Sequence, residues 1–184
     1  MGNTEIFIAL IAISGSFIGL IITKESKISE FRQKWIDNLR DDISKLMGSL
    51  CEFSTSRLIT NHSSGSPETE KDKQFIQNNL QVIKEIFTLL HRITLRLNPK
   101  KDIQLINVLN QIEVLLTEPS MLDNEKCFEF VTNDLKLQSH DLLKREWERV
   151  KKGEPFYIIM HYIVLTLFIV IFTIAIMNII CKFL

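Results

Sequence analysis

Two uncharged apolar runs occupy the ends of this chain, and between them hydrophobic residues recur every three or four positions. The first run, IFIALIAISGSFIGLIIT from Ile6 to Thr23, holds no charged side chain. At 1.5 Å rise per residue it spans about 27 Å, close to the hydrocarbon thickness of a bilayer. The second, YIIMHYIVLTLFIVIFTIAIMNIIC from Tyr157 to Cys181, exceeds what a bilayer needs and predicts a tilted span. A cleaved signal peptide would need a basic leader and a small-residue cleavage site ahead of Lys24, and the sequence offers neither. Met1-Gly2 is followed by Ile6 where a myristoylation signal places Ser or Thr.

Between the runs, Ile28, Phe31, Trp35, Leu39, Ile43, Leu46 and Leu50 form one apolar stripe at helical spacing. This predicts an amphipathic helix capped by Ser26 or Ser29 and ending near Asn61, where NHSSGSP begins a loop. Ser66-Pro67-Glu68 predicts a new helix start, and Phe75, Ile76, Leu80, Ile83, Phe87, Leu90, Ile93 and Leu97 carry its stripe to the stop at Asn98-Pro99. A third helix opens near Asp102 with Ile103, Ile106, Leu109, Ile112 and Leu116, and Glu118-Pro119 closes it. The fourth starts near Ser120 or Asp123 and bears Phe128, Val131, Leu135, Leu142, Leu143 and Trp147. Each stripe needs a cover, and only other helices are available, so the expected fold is all-α. Its layout is a transmembrane helix over 1–23, a cytoplasmic four-helix domain over 24–153, and a second transmembrane helix with a short tail over 154–184.

The charge layout sharpens this picture. Net charge is zero over 184 residues, which gives no reason to expect nucleic acid as the principal partner. All Lys and Arg except Lys182 lie between Lys24 and Gly153, as do all acids except Glu5 and Glu154. Lys24, Lys27, Arg32 and Lys34 follow the first span, and Lys144, Arg145, Arg149, Lys151 and Lys152 precede the second. By the excess of cations on cytoplasmic flanks, the middle faces the cytoplasm and both termini lie outside. Cys51, Cys127 and Cys181 form no CxxC pair, so neither a disulfide framework nor a metal site is expected, and they read as small buried apolar residues. Neither GxGxxG nor GxxxxGK[ST] occurs, which removes the commonest nucleotide-binding readings and leaves no cofactor expected.

Gly15 and Gly19, with Ala12 and Ser16, place small residues at four-residue spacing along the first run. Small residues let a second helix approach closely in lipid, which predicts a packing face for another copy or for the second span. Glycine is also simply common in membrane helices, an alternative that needs no partner.

One pair carries a chemical reading: Arg57 and His62, spaced R-x4-H at the end of the first soluble helix. An arginine can hold a scissile phosphate while a histidine moves a proton near neutral pH. The alternative is a helix-terminal pair that interacts with the C-terminal dipole. R-x4-H on an all-helical domain resembles the motif of HEPN ribonucleases, although Leu58 stands where those motifs place a polar residue. With membrane ends added, the chain resembles the small accessory membrane proteins of type VI-B CRISPR loci. That resemblance implies a homo-oligomeric pore or membrane-perturbing effector in a bacterial inner membrane, its partners being the lipid bilayer, other copies of itself, and an RNA-guided nuclease or RNA. The other readings are a membrane-anchored ribonuclease using Arg57 and His62, and a non-catalytic membrane scaffold.

Overall fold

The computed structural model describes residues 3–63, 68–117, 121, 124–152 and 155–183. Within helices, the side chains of His62, Tyr157, His161 and Asn178, among others, lie outside the described residues, as do Ser66, Pro67, Ser120 and Asp123 altogether. Six helices follow in order: α1 (Asn3–Ser63), α2 (Glu68–Asn78), α3 (Leu80–Arg96), α4 (Ile103–Thr117), α5 (Glu125–Lys152) and α6 (Pro155–Phe183). No strand occurs among the described residues, so the protein is all-α. Among those same residues, no helix is long and apolar enough to cross a membrane.

The chain divides into two compact units, one of residues 1–34 and 147–184, the other of residues 35–146. The second unit owns the core, where Leu39, Leu46, Phe53, Phe75, Ile86, Ile93, Ile112 and Leu135 are all but sealed from solvent. These residues come from α1 through α5, so five helical segments, rather than four, share one apolar interior.

Two helix boundaries differ from the sequence reading, each for a local reason. The apolar run and the first soluble helix are one continuous α1. The segment TKESKISE holds no Gly or Pro, and Lys27 and Glu30 pair across a turn at 2.8 Å, so nothing ends the helix there. The expected 67–97 helix is kinked at Asn79, which departs from helical angles while its N–H still bonds the Phe75 carbonyl and its own carbonyl accepts from the Ile83 N–H; its buried amide Nδ2 also donates to the Phe75 carbonyl at 2.9 Å. A short polar side chain that competes for its own backbone in this way bends a helix. Ile86 and Leu89 share the face of Phe75 and Ile93 and are buried, whereas Leu80 lies about 140° around the axis from Phe75 and is exposed. Phe31 and Ile103, expected on the apolar stripes, are exposed as well.

The α3–α4 connection satisfies its backbone groups internally. Asn98 Oδ1 accepts from the Lys100 and Lys101 N–H groups, and Asp102 Oδ2 accepts from the Asn98 N–H at 2.7 Å. Asp102 Oδ1 takes a further hydrogen bond from Arg145 Nη2 on α5, which ties this loop to the last helix of the unit. Asn124 opens α5, its Oδ1 accepting from the Cys127 N–H at 3.3 Å.

Candidate functional site

Arg57 lies where α1 packs on α2. Phe53 sits one turn before it on α1 and meets Phe75 of α2 with ring centroids 4.9 Å apart. Arg57 is only 3% exposed, its guanidinium carbon lies 5.2 Å from the Phe75 centroid, and Nη1 donates to Asp72 Oδ1 at 2.5 Å. A buried cation needs a counter-charge, and Asp72 supplies it from the surface side. The geometry is that of a clasp between two helices.

His62 belongs to α1, which continues to Ser63 rather than giving way to a loop. Five residues of α-helix separate two positions by about 140° around the axis, so Arg57 and His62 occupy different faces of α1. The His62 side chain lies outside the described residues.

A second charged cluster joins α1 to α3. Asp42 is buried on the core side of α1. Arg92 Nη1 donates to its Oδ1 at 3.1 Å, and Arg96 Nη1 lies 2.8 Å from Oδ2. The Arg96 approach is too poorly aligned for a hydrogen bond, so attraction between charges holds it. Beside this cluster opens a cavity of about 500 Å³ lined by Lys45, Gln81, Lys84, Glu85, Thr88, Leu89 and Arg92. Lys45 donates to the Asp41 carboxylate, and that hydrogen bond raises the lysine's pKa above its ordinary value. Of the cavity's lining cations, Lys45 pairs with Asp41 and Arg92 with Asp42.

In the other unit, Ser16 Oγ donates to the Ala12 carbonyl at 2.9 Å and Thr23 Oγ1 to the Gly19 carbonyl at 2.8 Å. These hydroxyls are satisfied within their own helix. A Cβ added at Gly15 or Gly19 would meet nothing within 4 Å, so that face of α1 is open. On α6, Thr166 and Thr173 likewise bond carbonyls of the preceding turn.

Sequence reasoning missed the acids that complete the charged clusters: Asp42, Asp72 and Asp102. Asp42 carried a readable signal, since it sits three residues after Leu39 and four before Leu46, at a core position of the stripe. Asp72 and Asp102 carried none, because their partners are distant in sequence. The cysteine expectation needs correction: Cys51 is exposed and Cys127 half-buried, both free thiols, because Cys51 falls on the outward face of α1. No group of three or more metal-binding side chains occurs among the described residues. Comparison with known protein families, with curated proteins and with solved structures finds no match.

Proposed function

We propose that this protein is a homo-oligomeric membrane effector whose two apolar ends insert in a bilayer as transmembrane helices and perturb or perforate it. The helical unit 35–146 serves as its cytoplasmic assembly module. The observation that carries this reading is uncovered apolar surface at both ends. Ile8, Ile11, Phe17 and Leu20 of α1 are at least half exposed, and α6 presents Leu167, Ile169, Phe172 and Met177 in the same way. Contiguous apolar surface of this kind demands a cover of lipid or of other copies. The open face at Gly15 and Gly19 supports close helix packing between copies. The resemblance to type VI-B CRISPR accessory proteins supplies the setting: antiviral defence at a bacterial inner membrane, alongside an RNA-guided nuclease.

The burial of Arg57 favours a structural clasp over a ribonuclease centre. A guanidinium that holds a phosphate must reach it, and this one is sealed against Phe75 and Asp72. A leakage assay separates the readings. Cells expressing wild type release a small dye or ions, Gly15→Leu/Gly19→Leu cells do not, and the particle mass in detergent corresponds to several chains. Retained leakage in the glycine variant, or a monomeric mass, overturns the proposal. RNA cleavage lost in Arg57→Ala/His62→Ala but kept in an equally stable Asp72→Ala would favour the nuclease instead.

A further inference from the structure

We infer that the junctions between the apolar ends and the helical unit bind the headgroups of anionic phospholipids. The inference rests on the membrane reading above and names the lipid class that the junction selects. Segments 24–34 and 147–152 carry seven cations against three carboxylates, and both lie in the same compact unit, apart from the bundle core. Glu30 accepts from Lys27 at 2.8 Å, and Glu148 pairs with Lys151 at 3.2 Å. The Lys27 ammonium holds the Glu30 carboxyl below its ordinary pKa through that hydrogen bond and its charge.

Arrangement adds to charge. At 100° per residue, Lys24, Lys27, Phe31 and Lys34 fall within an arc of about 80° on α1, and all four are exposed, Phe31 by 72%. Near the end of α5, Trp147 is exposed and Lys151 Nζ lies 5.7 Å from its ring centroid. Exposed aromatic rings interleaved with cations, next to apolar helices, match the headgroup layer, where rings settle among glycerol and acyl carbons while ammonium groups meet phosphates. A water-facing helix would leave Phe31 without a cover.

The test uses the full chain reconstituted in phosphatidylcholine vesicles, with brominated phosphatidylglycerol or brominated phosphatidylcholine added as the quencher of tryptophan fluorescence. Trp147→Phe identifies the signal of Trp147 against that of Trp35. The expected result is that brominated phosphatidylglycerol quenches Trp147 at lower mole fraction than brominated phosphatidylcholine. Salt weakens that preference, and it falls by roughly fivefold for each lysine removed in Lys24→Ala, Lys27→Ala and Lys34→Ala, alone and combined. Equal quenching by the two lipids, or a preference unchanged in the triple variant, overturns the inference and leaves the membrane reading standing. Quenching that persists in full in Trp147→Phe overturns the placement of Trp147. No quenching by either lipid overturns both the inference and the membrane reading.

Discussion

Replacing Arg57 by alanine removes a cation that is almost wholly buried between α1 and α2, together with its hydrogen bond to Asp72 and its place over the Phe75 ring. Breaking a fully buried ion pair costs about 3–5 kcal/mol, because the surviving charge is left without a partner. Asp72 retains 37% of its side-chain exposure and recovers water, which moves the loss toward the lower end. The cation–ring contact adds about 0.5–1 kcal/mol, and the shortened side chain leaves space beside Phe53 and Phe75. The expected loss is therefore about 2–4 kcal/mol. Arg57→Met keeps most of the volume and leaves only a half-exposed carboxylate unpaired, so it should lose about 1 kcal/mol or less. Guanidinium-induced unfolding of the full chain in mild detergent, followed by helical circular dichroism, measures both. The Arg57→Ala/Asp72→Ala cycle should return a coupling of about 1 kcal/mol or more. A loss below about 0.5 kcal/mol for Arg57→Ala would refute the clasp and return Arg57 to the list of groups free to act on a substrate.

Three further outcomes follow from the same structure. Leu46→Ala deletes a side chain with no solvent exposure in the centre of the core and should cost about 2–5 kcal/mol in the same unfolding measurement. Asp42→Ala leaves Arg92 and Arg96 facing each other without their shared carboxylate. Because the Arg92 and Arg96 side chains keep 48% and 27% exposure, it should destabilise by about 1–2 kcal/mol, while Asp42→Ala/Arg96→Leu recovers part of the loss. The Glu30 carboxyl, held low by Lys27, should titrate below an ordinary glutamate by carbon-detected NMR and move back up in Lys27→Ala. Its folded pKa lies below its unfolded one, so the pair's contribution is present above the unfolded value and disappears as pH falls through the folded one. Both groups are well exposed, so unfolding midpoints should barely register it.

Helical class, the two apolar ends and most core positions were legible from spacing, because a helix reports its buried face through a period that the sequence repeats locally. Leu39, Ile43, Leu46 and Leu50 were read from the stripe and are buried. The Asn79 kink was less legible. Asn-Asn inside an otherwise regular stripe is compatible with an unbroken helix, and only a buried environment makes the amide turn to the Phe75 carbonyl. The site residues divide in the same way. Arg57 stood out by its spacing to His62, yet its burial against Phe75 and its partner Asp72 depend on α2 folding back over α1.

Sequence alone therefore determined what is periodic or continuous along the chain: an all-helical fold, uncharged ends, a charged middle, and cations gathered at both junctions. Tertiary structure decided which charges meet. Asp42 with Arg92 and Arg96, Arg57 with Asp72, and Asp102 with Arg145 join residues 15 to 54 positions apart. Those pairings are set by which helix faces the core brings together, a property of three-dimensional packing that no local spacing encodes.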